Sequence, residues 1–472
     1  MDLRDNDKND KASVNRFESM LKTNDILFFD SSEFEDIITH YLYTGIFPLA
    51  KKAVKMGLSQ HPNNVDLKLL KVEILIMEEK LEEAESLLDE IHLIEPYNED
   101  IYIHKSKLYS KHGANEKAIA VLKDALPIAS DKGQIYTLIG MEFLEIRKYL
   151  EALDFFKKAV ERDGHEDMLF YVVYCYSLLE RRDKGVDFLI EFLERHPYTE
   201  EGWYYLGKEY IAQKEYNKAV AALDFAIICE DTFLGAYLEK GKALEGLKNY
   251  QEALEAYIIT TELDDPTDIA YLGIGRCYEN LGKDSLAVKY FQMAREYDPL
   301  GEKAIIALSD FYERKGNYLK ALEYITEGLD TEEHNMRFWK RYGRLNHTLN
   351  FLEEAEHGYD MALENGNYEI DLWIKRGDIL ISMGRFETAI KNFEDAEDFY
   401  RGWPELEYRF AGIYYSLYDS DRGNYHLDRA LKADQNKVSI LQQQFPRIFA
   451  RKSVQNRIVR FRNSKHQGKL SN

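Results

Sequence analysis

Cysteine and proline are scarce, three and nine in 472 residues. Cys175, Cys229 and Cys277 are too few and too scattered for a disulfide frame or a zinc site. They are expected on helices as buried free thiols, in a chain from a reducing compartment. No stretch approaches 18 uninterrupted apolar residues, so no membrane span is expected. The N-terminus, MDLRDNDKND, has no apolar core and gives no sign of a secretory signal. A cytoplasmic protein is the expectation. Positive charge is also short: 62 Lys and Arg against 84 Asp and Glu leave a net charge of -22. Such a surface repels nucleic-acid phosphates. The imbalance reverses at the end, where residues 437–472 carry nine Lys and Arg and no acid.

Catalytic signatures are absent as well. HExxH, CxxC, GxSxG and GxxxxGK[ST] do not occur. Gly273-Ile274-Gly275 begins a dinucleotide fingerprint but lacks its third glycine and the strand before it. The 12 histidines are scattered, with no pair on one helical face at i, i+4. Paired acids such as Glu353-Glu354 are read as solvated helix faces in so acidic a chain. No catalytic residue, metal ligand or cofactor is assigned, and an enzyme is not expected. No run of Val/Thr-rich alternation leaves room for a sheet.

What the chain does have is a beat. Trp203, Tyr237, Tyr271, Ile305, Trp339 and Trp373 lie 34 residues apart. Sixteen residues after each comes Ala219, Ala253, Ala287, Ala321, Ala355 or Ala389. Four further on comes Leu223, Tyr257, Phe291, Ile325, Tyr359 or Phe393. The beat drifts upstream through Leu169, Tyr136, Tyr102, Lys68 and Phe34, and downstream to Tyr408. Such self-similarity signifies stacked helix pairs, each burying its apolar face only against its neighbours. Several prolines (Pro62, Pro96, Pro197, Pro266 and Pro299) fall at repeat ends, where a missing N–H does least harm. Gly113, Gly282, Gly316 and Gly384 stand where left-handed helix ends are expected.

These residues resemble the tetratricopeptide repeat, with its pattern aromatic-x-x-Leu-Gly-x-x-Tyr, then Ala, Phe, Ala and Pro. The best match is Trp203, Leu206, Gly207, Tyr210, Ala219, Leu223 and Ala226; another is Tyr271, Ile274, Gly275, Tyr278, Ala287, Phe291, Ala294 and Pro299. The segment around Asp231, Thr232 and Phe233 also resembles a narrower, uncharacterised repeat family common in Bacteroidota. The resemblance implies an all-α, right-handed superhelical solenoid of about twelve helix-turn-helix repeats over residues 31–436. A polar, mobile arm is expected over 1–30, with Ser31 or Ser32 capping the first helix. A capping helix is expected over 437–450, broken at Pro446, and a basic flexible tail over 451–472.

In this family the first helix of each pair lines a concave groove. The resemblance implies that side chains five residues after the aromatic position face it. These are Tyr174, Lys208, Lys242, Arg276, Asp310, Arg344 and Asp378. Lys208, Lys242 and Arg276 form a cationic ladder. Arg337, Lys340 and His347 are expected beside Arg344, and Phe170 and Tyr204 as apolar anchors. The groove set is therefore Phe170, Tyr174, Tyr204, Lys208, Lys242, Arg276, Arg337, Lys340 and Arg344. It suits an acidic or carboxylate-ended protein segment. The competing reading is that these cations pair with acids on adjacent repeats. The expected function is a non-catalytic scaffold or adaptor that binds one or more proteins. The alternative is an RNA- or anionic-surface-associated factor acting through the basic tail, where Arg457, Arg460 and Arg462 interleave with apolar residues.

Overall fold

The computed structural model describes residues 3–23, 27–162, 166–264, 267–299 and 301–469. Every regular element among them is helical. Two compact units divide the chain after Leu247. Unit 1 holds α1 (Leu3–Thr23), α2 (Ser31–Tyr43), α3 (Phe47–Gln60), α4 (Val65–Met77), α5 (Leu81–Ile94), α6 (Glu99–Lys111), α7 (Asn115–Ala125), α8 (Lys132–Glu145), α9 (Tyr149–Val160), α10 (Leu169–Leu178), α11 (Arg182–Arg195), α12 (Glu200–Ala212), α13 (Tyr216–Cys229) and α14 (Leu234–Gly246). Unit 2 holds α15 (Tyr250–Leu263), α16 (Asp268–Asn280), α17 (Asp284–Tyr297), α18 (Glu302–Arg314), α19 (Tyr318–Thr331), α20 (Met336–Thr348), α21 (Leu352–Glu364), α22 (Ile370–Ser382), α23 (Phe386–Phe399), α24 (Pro404–Ser416), α25 (Ser420–Ala433), α26 (Ser439–Gln444), α27 (Pro446–Phe449) and α28 (Lys452–Lys469). Each unit is a stack of antiparallel helix pairs, successive helices packing on one another.

The beat states why they stack. All six alanines sixteen residues after the aromatic position are fully buried, as are the bulky residues four further on. The repeat glycine lets two helices close on that bulky side chain. A Cβ at Gly275 would stand 2.5 Å from Phe291 Cδ1, and one at Gly140 would stand 2.7 Å from Phe156 Cε1. Neither gap leaves room for a methyl group. The aromatic position does a second job. Tyr102 Oη, Trp203 Nε1 and Trp339 Nε1 each donate to the carbonyl six residues earlier, at 3.1, 2.8 and 2.6 Å. The ring packs while its polar atom ties down the preceding loop.

The turn inside each pair repeats as faithfully. A residue with positive φ stands at 45, 79, 113, 147, 180, 214, 248, 282, 316, 350, 384 and 418. Glycine fills only five of these places; Glu79, Arg147, Glu180, Lys214, Lys248, Asn350 and Tyr418 fill the others. The helix-end bonds hold them there: Lys80 N–H donates to the Leu75 carbonyl at 2.9 Å, the six-to-one closure of a Schellman turn. The single 33-residue step, from 147 to 180, coincides with the drift between Tyr136 and Leu169.

Both ends differ from the sequence expectation. Leu3–Thr23, within the stretch expected as a polar arm, is a helix and buries Val14, Phe17 and Met20 against α2. Arg16 lies over the Phe29 ring at 4.3 Å and donates to Glu33 at 2.6 Å. The cap of α2 is Asp30 rather than Ser31 or Ser32; its N–H donates to Glu33 at 2.8 Å. At the other end, the segment after 436 is a 3-10 turn followed by α26 and α27, separated at Phe445 and restarted by Pro446. The expected flexible tail holds α28, which buries Val454 and Ile458 in the same core as Leu406, Phe410 and Phe445. Pro266 lies outside the described residues.

Candidate functional site

The first helices of successive pairs carry the expected groove residues, and the two units use them differently. In unit 1, Phe170 and Tyr174 sit one turn apart on α10, each 42% exposed, with rings stacked at 5.8 Å. On α12, Tyr204 and Tyr205 continue the row: Phe170 lies 6.2 Å from Tyr205, and Tyr204 lies 5.0 Å from Phe233. Lys208 extends over this row, its Nζ 5.1 Å from the Tyr204 centroid and 5.7 Å from that of Tyr205. Burial pushes the Tyr205 phenol up to about 12 and raises that of Tyr204 too, so both hydroxyls stay neutral at physiological pH. Lys242, on α14, donates instead to Glu239 of its own helix at 2.7 Å. The cationic ladder thus divides in unit 1 between a ring contact and an ion pair. Its third rung, Arg276, belongs to α16 in unit 2, where its carbonyl accepts from Asn280 at 2.9 Å.

In unit 2, Arg337, Lys340 and Arg344 share a cleft of about 760 Å³. Arg341 and Lys375 join them, with Ile306, Met336 and Tyr359 as apolar lining. Each of the five cations has a carboxylate. Arg337 pairs with Glu302 and Arg341 with Asp310. Arg344 donates to Glu313 at 2.6 Å, Lys340 to Glu369 at 2.5 Å, and Lys375 to Asp371 at 3.1 Å. Helix α18 supplies three of these acids and α20 four of the cations. The exposed members are held weakly, since a solvated ion pair contributes about 0–1 kcal/mol. Five forked or flexible donors therefore stand in one cleft, neutralised by partners that an incoming carboxylate can replace. His347 is exposed on the same helix.

The sequence reading missed Arg341 and Lys375. Both stand two residues after the aromatic position, and Arg409 is the next member of that column. The signal was there at the same 34-residue spacing. Column geometry also explains the partners. Asp310 with Arg341, Glu313 with Arg344 and Asp378 with Arg409 are each 31 residues apart, an acid reaching a cation one repeat on. The last pair is of a different kind. Arg409 is bidentate on Asp378, at 2.6 and 2.7 Å, and its side chain is only 6% exposed.

The basic C-terminal residues are partly engaged. Lys437 donates to Glu405 at 2.7 Å, Arg451 to the Tyr415 carbonyl at 3.1 Å, and Arg457 to both oxygens of Asp428 at 2.7 Å. Two of the three cysteines, Cys175 and Cys277, are buried and Cys229 is half-buried; burial pushes the Cys175 thiol up to about 11. No helix among the described residues is long and apolar enough to cross a membrane.

Comparison with family models agrees with this geometry. Family models described as tetratricopeptide repeat match residues 75–141, 133–165, 238–301 and 370–401. No curated protein matches the chain. Among solved structures it is similar to the APC/C hetero-tetramer Cut9-Hcn1, at 14% identity, covering 94% of this chain and 93% of that one, with a TM-score of 0.33. It is similar to MamA at 26% identity over 36% of this chain and 94% of that one, TM-score 0.31. It is also similar to the C-terminal part of a repeat protein from Cytophaga hutchinsonii, at 13% identity over 51% and 98% of the two chains, TM-score 0.42. Repeats of this type act as protein-interaction scaffolds. With the buried alanine column and the glycine-on-ring contacts in agreement with the matched segments, the chain carries tetratricopeptide repeats.

Proposed function

We propose that the chain is a non-catalytic adaptor that holds an acidic or carboxylate-ended protein segment on the first-helix face of unit 2. The observation that carries this reading is the convergence of Arg337, Lys340, Arg341, Arg344 and Lys375 on one cleft. Guanidinium forks bind carboxylates in two-point fashion, and lysines add charge with freer geometry. The ligand replaces Glu313 or Glu369 at a cation rather than meeting a bare one. Its affinity is therefore the difference between two pairings, and it falls with salt. The aromatic row of unit 1, from Phe170 to Lys208, supplies contact area for apolar side chains of a bound protein.

Fluorescence anisotropy with a labelled Asp/Glu-rich peptide bearing a free carboxylate tests this. Charge reversal at Arg337, Lys340 and Arg344 is expected to weaken binding at least about tenfold. Glu313→Gln and Glu369→Gln are expected to strengthen it, because each removes the internal competitor. Equal binding of a Gln/Asn version of the peptide, or indifference to all five substitutions, overturns the reading. Loss of binding only on truncation after Ala450 moves the function to the basic C-terminal helix.

A further inference from the structure

A second surface, in unit 1, has a charge pattern opposite to that of the chain. Helix α3 presents Lys51, Val54, Lys55 and Leu58 at i, i+3, i+4 and i+7, and α4 with its C-cap Glu78 presents Lys71, Ile74, Leu75 and Glu78 at the same steps. The two stripes line an open groove of about 520 Å³. Its floor is Val54, Ile74 and Leu75, all buried, with half-buried Leu58. Its rim is three exposed lysines. Lys51 pairs with Glu78, which also takes Lys80 at 3.3 Å. Lys55 and Lys71 have no carboxylate partner among the described residues. The lining carries three positive charges and one negative, a balance of +2. Helix α3 has three lysines and no acid in a chain of net charge -22. The cleft of unit 2 differs, since each of its cations is paired.

We propose that this groove docks an acidic amphipathic helix of a partner protein. The apolar edge of that helix runs along Val54, Leu58, Ile74 and Leu75, and its flanking carboxylates meet Lys55 and Lys71. Two parallel stripes at i, i+3, i+4 and i+7 offer the register that a helix with the same apolar period fills. The floor is already largely covered by its own neighbours, so the apolar gain is small and the lysines supply the attraction. Binding is therefore modest and strongly salt-dependent. An acyl carboxylate fits less well, because an open groove covers only one side of the chain, whereas small-molecule sites enclose most of the ligand. A nucleic-acid backbone has no use for the apolar floor and meets the acidic remainder of the protein.

The test uses the full chain and a labelled helical peptide of about 18 residues, five turns, with a leucine stripe and glutamate flanks. Saturable binding is expected, weaker at about 200 mM than at about 50 mM salt. The double substitution Lys55→Glu/Lys71→Glu is expected to weaken it at least about tenfold, and to do so equally in a chain already charge-reversed at Arg337, Lys340 and Arg344. That last arm separates this groove from the cleft of unit 2. An isomeric peptide with its stripe broken is expected to bind at least about tenfold less well. The proposal is overturned by no saturation up to about 1 mM peptide, by equal binding of the broken-stripe isomer, or by indifference to the double substitution. Displacement by dodecanoate or oligouridylate at lower concentration than the unlabelled peptide also overturns it, in favour of an acyl or nucleic-acid ligand. Thermal melts accompany each variant, with Lys55→Gln/Lys71→Gln as the milder pair if charge reversal lowers the melting temperature.

Discussion

One repeat position meets three environments. Five residues after the aromatic stand Lys208 in unit 1, and Arg344 and Asp378 in unit 2. Lys208 lies over two tyrosine rings. Arg344, its side chain 44% exposed, reaches Glu313 one repeat back. Asp378 holds the buried Arg409 one repeat on. The first-helix face of unit 1 is therefore aromatic over α10 and α12, and that of unit 2 is a lattice of charges over α18 and α20. The period fixes the column a side chain joins. Its neighbour a repeat away decides what it does there.

The largest expected effect separates the two kinds of ion pair within unit 2. Asp378→Ala leaves the Arg409 guanidinium buried without its carboxylate, and is expected to cost about 3–5 kcal/mol in urea unfolding. A cost near that of an exposed pair would place Arg409 in solvent and erase the distinction. Acid separates the units in another way. Burial, aided by Lys107, lowers the His104 pKa in unit 1 from 6.5 to about 4. The unfolded chain binds this proton below about 6.5 while the folded chain still refuses it. Stability is thus full above 6.5 and is lost as pH falls toward 4, by about 3 kcal/mol at the limit. His104→Gln should flatten that part of the melting-temperature profile; an unchanged slope would assign it to other groups.

Next in size come the interiors, which the units share. Gly140→Ala and Gly275→Ala each drive a methyl into a ring packed sixteen residues on. Each should cost about 1–3 kcal/mol by overpacking, with similar values in both units. A large disparity would show that the interiors differ as the surfaces do. The smallest effect is expected at Arg344→Ala, within about 1 kcal/mol and shrinking with salt.

Much of the interior was legible in the sequence because it repeats. Ala219, Ala253 and their equivalents, and the ring packed against each repeat glycine, need only a count of 34. The turns were legible only where glycine marks them. Arg147 and Lys214 adopt the same left-handed φ, but nothing in either residue announces it, since helix-end bonds impose the conformation. Helix α1 was missed because Val14, Phe17 and Met20 are thinly spread in a polar stretch, and their partners lie in the next helices. Part of the candidate site was legible for a related reason. Arg337, Lys340 and Arg344 lie on one predicted helix, and the structure places them along one cleft. Their carboxylates sit 29–35 residues away, on other repeats, and only the fold shows which acid meets which cation.

The most direct measurement is site mapping by photo-crosslinking. An extended acidic peptide, with a photoreactive group beside its free carboxylate, would be irradiated with the full chain and the adducts located by mass spectrometry. The predicted result is concentration of adducts within residues 336–375, lost on charge reversal of Arg337, Lys340 and Arg344. Adducts gathered on residues 452–469, or spread without preference for 336–375, would contradict the assignment of unit 2 as the binding surface.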